Sequence, residues 1–539
     1  MSQSRYNKLA WRTYAILAMM VIAAMFFTAC GIRGVSEPEV SDVFANDPAN
    51  MEQVSPQESN NQPVESPPAV TAEETPAVSD EQPVGSGADD SFEQQNESPD
   101  PETELAEVLT NVVYITTDSF STMAITADGG LWTWGQNNFG RLGDGTTYDR
   151  HSPYKIMENV AHVVMSPSFV YAIQMNGSLW GWGANPHGQI GDGTTIDRHS
   201  PVRILENVVY VTVSPGGWQS NIFAILTDGS FWGWGPNVLS ASGIEPRTES
   251  HVPILMMENV TYVLPYFPVH ALQADGSLWV WRNHGATTGN TEKILENVVY
   301  VTVTRFGNTF FAVQSDGGLW SWGDSSFGQL GRDTGRFEDT RNPSRIKENV
   351  VSVVGRNNAI YAIQTDGTLW SWGRNSFGGL GCGTRVSDRW RPIQILENVA
   401  SVAISTSVLA LQADGSLWAW GDNGVGQVGD GTTEDRNSPV HVMDNVIYMA
   451  QGGGVSLALR SDGSLWGWGA NWAGQLGDGT TENRHSPIMI MENVASVTIS
   501  EGSAFALRTD GSLWSWGWND HGQLGNGTTD NIHSPVRIG

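Results

Sequence analysis

A recurring tetrapeptide carries residue types that could bind a cation. Asp-Gly-Thr-Thr places a carboxylate beside two hydroxyls and occurs at 144–147, 192–195, 430–433 and 478–481, with Asn526-Gly527-Thr528-Thr529 as a further version. It lacks the alternating acidic residues of a calcium loop. A turn with glycine at positive φ is therefore favoured, and Cys382, which replaces the aspartate in one copy, is interpreted as a drifted turn residue.

Histidine also recurs, directly before Ser-Pro at the entry to a strand, at His151, His199, His485 and His533. No cysteine or carboxylate keeps a fixed spacing to these histidines, as the ligands of a zinc site would. Their repetition favours a structural hydrogen bond. We therefore expect neither a metal nor a cofactor.

The sequence contains no nucleophile elbow, no phosphate-binding glycine loop and no unique pair of acids, so we expect no enzyme. The excess of acidic over basic residues limits the classes of partner that the protein could bind. Of the 57 acidic residues, 19 lie between Gly34 and Glu107, a segment without Lys or Arg, and the other 38 face 24 bases from residue 108 onward. Such a surface repels phosphate backbones, so nucleic acid is excluded as a partner.

Paired tryptophans are the strongest repeated signal. Asp-Gly-x-(Leu/Phe)-Trp-x-Trp (Asn-Gly in the second copy) occurs nine times, with its first tryptophan at 132, 180, 232, 279, 320, 370, 418, 466 and 514. Each copy contains four short apolar runs separated by turn residues and shows no helical periodicity. Asp-Gly between two runs predicts a type I′ hairpin. The pattern indicates an all-β chain of four-stranded units.

Aromatic faces can bind sugars, but these tryptophans alternate with small residues within a strand, which favours a packing role. The clearest structural pairs are Trp132 and Trp134, Trp180 and Trp182, Trp418 and Trp420, Trp466 and Trp468, and Trp514 and Trp516. We expect the bulky face of one unit to fit the nearly bare face of the next. Because such a unit cannot bury both faces alone, the expected fold is a closed β-propeller.

The phrases Ala-Leu-x-x-Asp-Gly-x-Leu-Trp-x-Trp-Gly and Gly-Gln-Leu-Gly-x-Gly resemble the regulator of chromosome condensation repeat, in particular its alpha-tubulin-suppressor-like bacterial members. The resemblance covers nearly all of 108–539 and implies a β-propeller of repeats of about 48 residues. Seven blades are the family norm, whereas nine copies here leave the blade number open. The first copy starts without a good Ser-Pro strand and the chain ends in one, so we expect the last strand to complete the first blade.

The resemblance also implies function. Family members dock protein partners on the propeller surface, a secreted member inhibits β-lactamases through loop aromatics, and the eukaryotic namesake promotes nucleotide exchange and binds chromatin. Chromatin binding does not suit an exported acidic chain. Protein–protein interaction is the leading expectation, a glycan-binding (lectin-like) module is the alternative, and an enzyme inhibitor or exchange-type regulator is a remote one.

Residues 1–30 predict export. Arg5, Lys8 and Arg12 precede an apolar run that is shorter than a membrane-spanning helix. Phe27-Thr28-Ala29-Cys30-Gly31 resembles a bacterial lipobox, which implies lipidation of Cys30 and anchoring to the membrane; an uncleaved signal anchor is the alternative. Residues 31–107 have the acidic, Pro/Ser/Gln-rich composition of a disordered tether. Either interpretation places 108–539 outside the cytoplasm.

Recognition is expected where equivalent positions of the repeats differ. A two-residue loop tip precedes each Gly-Gln-Leu-Gly motif, and the candidate partner-binding residues there are Phe139, His187, Phe327, Phe377, Val425, Trp472 and His521. Exposed aromatics of this kind are typical of interfaces; the alternative is that each phenylalanine folds under its own loop. Copies 3 and 4 lose the shared loop, and Tyr266 and Phe267 beside them are a second candidate patch or a degenerate seam.

Overall fold

The chain folds into a β-propeller of nine blades, each a four-stranded antiparallel sheet in which the strands follow chain order. This computed structural model describes residues 109–236, 249–282, 290–304, 309–333, 340–385, 388–500 and 502–539. Each of the nine sequence copies corresponds to one blade, which confirms the all-β propeller and settles the blade number at nine.

The strands of blades 1 to 3 are β1 (Val112–Thr117), β2 (Ser121–Thr126), β3 (Leu131–Gly135), β4 (Arg150–Met157), β5 (Val160–Met165), β6 (Phe169–Gln174), β7 (Leu179–Gly183), β8 (Arg198–Leu205), β9 (Val208–Val213), β10 (Ile222–Leu226), β11 (Phe231–Gly235) and β12 (Ser250–Met257). Those of blades 4 to 6 are β13 (Val260–Leu264), β14 (His270–Gln273), β15 (Leu278–Arg282), β16 (Asn290–Leu295), β17 (Val298–Val303), β18 (Thr309–Gln314), β19 (Leu319–Gly323), β20 (Ser344–Lys347), β21 (Val350–Arg356), β22 (Ala359–Gln364), β23 (Leu369–Gly373) and β24 (Arg389–Leu396). Those of blades 7 to 9 are β25 (Val399–Ile404), β26 (Ser407–Gln412), β27 (Leu417–Gly421), β28 (Arg436–Met443), β29 (Val446–Gly452), β30 (Val455–Arg460), β31 (Leu465–Gly469), β32 (Arg484–Met491), β33 (Val494–Ile499), β34 (Ser503–Arg508), β35 (Leu513–Gly517) and β36 (Ile532–Arg537). Short 3-10 turns occupy Asn138–Gly140, Gly217–Gln219 and Ser376–Gly378.

The first strand of each blade lies nearest the ring axis, because first strands of neighbouring blades such as β5 and β9, or β25 and β29, approach one another. The fourth strand is therefore the outer edge of its sheet. In five blades it carries the Ser-Pro dipeptide, and an outer edge is where a residue without an N–H costs no ladder bond.

The Asp-Gly turns join the second and third strands, but their conformation differs from the expected type I′ hairpin. In blade 1 Gly129 donates its N–H to Thr126 at 2.8 Å, and Gly129 has φ 83°. Asp128 is not among the described residues with positive φ, which type I′ would require. The turn is a type I turn closed by a left-handed glycine.

The turn that leads from one blade to the next depends on asparagine. The Asn of Glu-Asn-Val and its equivalents adopt positive φ in all nine blades, at Asn111, Asn159, Asn207, Asn259, Asn297, Asn349, Asn398, Asn445 and Asn493. Asparagine tolerates this left-handed conformation better than most residues. Its recurrence is therefore a backbone requirement.

The two tryptophans of each pair share a face, as predicted, but they are buried to different degrees. The second tryptophan is 0% exposed in seven blades, for example Trp134 and Trp468, whereas the first, such as Trp132 or Trp466, is half-buried. Nine apolar clusters, one at each blade boundary, form the core. The second tryptophan of each pair is therefore the more completely buried one.

The expectation of a bare face opposite the tryptophans is wrong. The loop between strands 3 and 4 folds back over the small residue of its own blade: Ser321 and Ser515 donate Oγ–H to Leu330 and Leu524 at 2.7 and 2.8 Å. A Cβ at Gly467 would lie 3.3 Å from Leu476 of that loop, and closer still to the side chains of Ile490 in β32 and Leu457 in β30. The small residue makes room for its own loop, and the next blade packs on that loop.

The ring closes without the predicted strand exchange. The last strand, β36, pairs with β35 in its own blade, and blade 1 is completed by β4. In each of the five blades that contain Ser-Pro, namely 1, 2, 7, 8 and 9, the dipeptide thus lies in the fourth strand. Closure depends on packing between blades 9 and 1, where Trp134 donates Nε1–H to Gln523 at 2.8 Å and Leu109 and Ile538 are buried in one cluster.

Candidate interaction surface

One side of the propeller carries the loops between strands 1 and 2 and between strands 3 and 4; we call it the loop face. Its larger loops are 136–149, 184–197, 324–343, 374–388, 422–435, 470–483 and 518–531, as far as the structure describes them. The predicted tip residues all lie in these loops. Because consecutive strands of each sheet are antiparallel, the loops between strands 3 and 4 of all blades lie on one side of the ring.

A buried asparagine organises six of these seven loops, and the loop of blade 5 has Ser325 in its place. In blade 8 Asn471 is 0% exposed and donates Nδ2–H to the carbonyls of Thr480 and Glu482, both at 3.1 Å. Its Oδ1 accepts the N–H of Leu476 at 2.9 Å. One side chain thus ties together both ends of the loop, which holds the tip on a fixed base.

The Asp-Gly-Thr-Thr segment forms the second anchor and is a turn, as expected, with Gly479 at φ 81°. Asp478 accepts hydrogen bonds from the Thr480 N–H at 3.0 Å and from Arg484 Nε at 2.6 Å. Burial alone raises the pKa of the Asp478 carboxyl, but the bonds from Thr480 and Arg484 outweigh it and hold the pKa below its usual value. The carboxylate serves the loop.

The loop of one blade also accepts a hydrogen bond from the next blade. The carbonyl of Gln475, the second residue of Gly-Gln-Leu-Gly in blade 8, accepts Trp516 Nε1–H of blade 9 at 2.9 Å. The corresponding bond joins Arg141 to Trp182 at 2.9 Å and Gln427 to Trp468 at 3.0 Å. The repeated motif is therefore a rigid connector beneath the variable tip.

The predicted tip residues divide by exposure. Three are exposed: Trp472 at 62%, Phe377 at 60% and Phe139 at 38%. His187, Phe327, Val425 and His521 are half-buried. Neither the fully exposed ring of aromatics nor the alternative of tucked phenylalanines describes every blade.

Two of the exposed tips have an unusual backbone. Phe139 and Phe377 adopt φ 63° and 54°, in the left-handed region that bulky residues seldom occupy. Strain of this kind persists only where the surrounding loop fixes it and tends to occur at functional positions.

Two of the half-buried tips contact charged neighbours, whereas Val425 packs against an apolar cluster. The Arg374 guanidinium lies 4.9 Å from the Phe327 ring centroid. His187 Nδ1 lies 3.3 Å from a Glu249 carboxylate oxygen. These contacts hold the rings against the surface.

An aromatic cluster at the seam between blades 9 and 1 was not predicted as a whole. Phe120, in the loop between β1 and β2, packs edge-on against Trp518 and His521 with centroid distances of 5.8 and 5.4 Å. Phe120 is 36% exposed. Trp518 occupies the residue after Trp-Gly, where the other described copies have no aromatic residue, so its departure from the repeat could have identified it.

The second candidate patch lies on the same face, in the loop between β13 and β14 of blade 4. Phe267 is 61% exposed, whereas Tyr266 packs partly against the core at the boundary of blades 4 and 5. The structure thus separates the two residues and leaves Phe267 as the accessible one.

The histidines before Ser-Pro take part in a repeated structural hydrogen bond through their backbone. The His533 carbonyl accepts the Gly479 N–H at 2.8 Å, and Asn437 supplies the same carbonyl to Gly383 at 2.8 Å. The imidazole covers a loop glycine of the preceding blade: a Cβ on Gly474 would lie 2.4 Å from His533 Cδ2. The histidine side chain is a packing group.

Cys382 occupies the place of the turn aspartate, as interpreted from the sequence, and Asn375 Nδ2 lies 3.7 Å from its sulfur. Within the described ranges no group of three or more His, Cys, Asp or Glu side chains could hold a metal ion. None of these residues belongs to a helix with the length and apolar character needed to cross a membrane. Cys30 and the predicted signal and tether, 1–107, lie outside the described residues.

Two known families match the repeated part of the chain. The profile of the RCC1-like domain matches residues 268–539, and that of the regulator of chromosome condensation (RCC1) repeat matches 128–173 and 176–220. No curated protein matches the chain.

Solved structures resemble the chain at low identity. Human WBSCR16 is 21% identical with a TM-score of 0.43, over 67% of this chain and 94% of that one. Yeast RCC1 (Prp20) bound to Kap60 is 17% identical with a TM-score of 0.42, over 76% and 83%. Prp20p from Saccharomyces cerevisiae, whose binding to Gsp1p and histones was described with its structure, is 18% identical with a TM-score of 0.42, over 77% and 87%.

Proposed function

Because the chain belongs to the RCC1-like domain family, we propose that it is a surface-tethered binding module that recognises a protein partner through the loop face of its propeller. The observation that carries the proposal is an exposed indole, Trp472, held on a loop whose base is fixed by the buried Asn471. A rigid aromatic anchor loses little conformational freedom on binding, and tryptophan is enriched among the residues that dominate interface energetics.

Neighbouring blades extend this anchor into a patch. Trp472 belongs to blade 8, Trp518 and His521 to blade 9, and Phe120 and Phe139 to blade 1, so the aromatic residues occupy three adjacent blades across the seam. Their exposed edges combine apolar surface with a polar ring nitrogen. A protein surface suits such a patch, since both partners can bury aromatic area at its centre.

We place this module outside the cytoplasm, anchored to the membrane through a lipidated Cys30 and raised from it by the acidic segment 31–107. The composition of these segments supports this arrangement. Binding is the whole activity in this proposal, and the chain is not an enzyme.

A photoreactive side chain at position 472 tests the proposal on the full chain in its native host. Cross-linking there should give a discrete protein adduct, whereas the same side chain at position 448, a partly exposed channel-side position of the same blade, should not. The affinity of the captured protein for the full chain in detergent is then measured. Trp472→Ala should weaken it about 10- to 100-fold, as for an interface hot spot, and the matched control Tyr448→Ala should not.

The same preparation separates the glycan-binding alternative. Saturable binding on an array of envelope glycans, with no protein adduct at position 472, would contradict protein recognition and favour a lectin-like module. Equal loss of thermal stability in Trp472→Ala and in the fully buried variant Trp468→Ala would overturn the assignment of Trp472 as a surface anchor.

A further inference from the structure

A cavity of about 430 Å³ lies between blades 5 and 6, beside their fourth strands and the loop between β19 and β20. Four cationic side chains and one carboxylate line it, together with a tryptophan and small or apolar residues. The lining is Gly331, Arg332, Asp333, Arg345, Ile346, Lys347, Trp370, Arg391 and Pro392.

Three of these cations depart from the repeat. Arg332 stands where four other blades have aspartate, at Asp144, Asp192, Asp430 and Asp478. Lys347 stands where seven other blades have an aliphatic or methionine side chain, at Met157, Leu205, Met257, Leu295, Leu396, Met443 and Met491. Arg391 replaces the serine of Ser-Pro, present at Ser152, Ser200, Ser438, Ser486 and Ser534. Blade packing does not require these cations, since the other blades are built without them.

The concentration of positive charge is unusual for this chain. Residues 108–539 hold 24 bases against 38 acids, yet the cavity lining holds four bases and one acid. The acid, Asp333, accepts Arg391 Nε–H at 2.9 Å, and Arg345 lies 3.0 Å from Asp316 and 3.8 Å from Glu348. These pairs are solvent-exposed, and exposed ion pairs are weak enough for a competing anion to displace them.

Lys347 is the cation of this cavity that has no carboxylate partner among the described residues. Its ammonium lies 3.2 Å from the centroid of the Trp370 ring of the next blade. Burial lowers the pKa of Lys347, and the more distant Asp366 charge opposes this. No carboxylate of the described residues lies within ion-pairing distance of its Nζ. An anion bound here would meet a partly desolvated ammonium beside an aromatic face.

We propose that this cavity binds a small oxyanion of the size of a sugar unit, carrying a phosphate or a carboxylate. Arginine guanidinium groups form planar forks that match both oxyanions, and lysine adds a point charge. The volume falls within the range of small-ligand sites. The Trp370 ring, whose face Lys347 covers, adds an aromatic wall beside these cations. The source is either a free phosphorylated or acidic sugar or an acidic glycan end.

Calorimetric titration of the full chain in detergent tests the proposal with four probes: glucose 6-phosphate, glucuronate, polygalacturonate and neutral glucose. We expect saturable binding of an anionic probe at one site per chain and no binding of glucose. Tighter binding of polygalacturonate per site than of glucuronate would identify a glycan as the source, and the reverse order a free sugar acid or phosphate.

Variants that restore the repeat provide the sharpest control, because they should fold as the other blades do. Lys347→Met and Arg391→Ser should each weaken binding about tenfold, the loss expected for a charge-assisted hydrogen bond. Arg203→Ser removes a solvent-accessible cation from the fourth strand of blade 2 and should leave the affinity unchanged. Absence of anion binding, equal binding of glucose, or equal affinity in all three variants would overturn the site, whatever the outcome at Trp472.

Discussion

At most blade boundaries a buried tryptophan donates a hydrogen bond to a loop of the preceding blade, and two of these sites allow a prediction with an internal control. In blade 8 the fully buried Trp468 donates Nε1–H to the Gln427 carbonyl at 3.0 Å. The same carbonyl accepts Ser456 Oγ–H at 2.9 Å. Trp468→Phe therefore removes one donor and leaves the other in place.

Blade 9 has the same site without the second donor. Trp516, also 0% exposed, donates to the Gln475 carbonyl at 2.9 Å, and the residue equivalent to the serine is Ala504. Trp516→Phe therefore leaves a buried carbonyl with no hydrogen-bond donor among the described residues.

The two substitutions lose the same carbon surface, which costs roughly 1–2 kcal/mol of unfolding free energy in each case. The unsatisfied Gln475 carbonyl adds about 1–3 kcal/mol in Trp516→Phe alone. We expect Trp516→Phe to be more destabilising than Trp468→Phe by that second amount, since the packing loss cancels between them.

Urea unfolding of the full chain, followed by tryptophan fluorescence and far-UV circular dichroism, measures the difference as a shift in midpoint at constant slope. Adding Ser456→Ala to Trp468→Phe converts the blade 8 site into that of blade 9 and should bring its midpoint to that of Trp516→Phe. Equal midpoints for the two single variants, or no effect of Ser456→Ala, would refute the argument that these hydrogen bonds hold the boundaries.

Three further outcomes are expected. Asn471→Ala should lower the unfolding free energy by roughly 2–4 kcal/mol, because several buried loop groups lose their partner; a thermal melt within a degree of wild type would contradict this. The pKa of Asp478 is below its usual value, so the ionised carboxylate stabilises the fold above the unfolded pKa of about 3.9. This stabilisation is lost as the pH falls through the pKa of the folded state. Asp478→Asn should therefore be less stable than wild type at pH 7 and lose less stability on acidification, as measured by melting temperature from pH 7 to 3. Phe120→Ala should leave the melting temperature nearly unchanged and weaken partner binding together with Trp472→Ala, so normal affinity in Phe120→Ala would remove the seam cluster from the interface.

The sequence predicted the architecture well because the repeat states its periodicity nine times. Alternation within Leu-Trp-x-Trp placed both indoles on one face. It could not show that Trp466 would be half-buried and Trp468 fully buried, because that difference depends on the neighbouring blade's loop.

Other errors also arose from contacts distant in sequence. The chain's final Ser-Pro strand could be assigned to blade 1 or to blade 9 by composition alone, and only strand pairing shows that it joins β35. Phe120 and Trp518 are about 400 residues apart and meet through ring closure, so no local pattern linked them. The predicted tip residues lie in loops, but exposure at Phe377 and half-burial at Phe327 depend on which side chains surround each ring.

Both ends of the propeller meet at the same boundary, where Thr110 bridges to Ser512 and the Ile538 N–H bonds to Leu513 at 2.9 Å. Successive blades elsewhere are joined by a peptide link, but blades 9 and 1 are held together by side-chain packing and hydrogen bonds alone. A pulling force applied through the N-terminal segment would act directly on this junction and peel the first blade from the ninth before straining any other. The binding surface that we propose spans this junction. A bound partner would therefore contact both blades 9 and 1 and stabilise the ring at the boundary where a pulling force would open it.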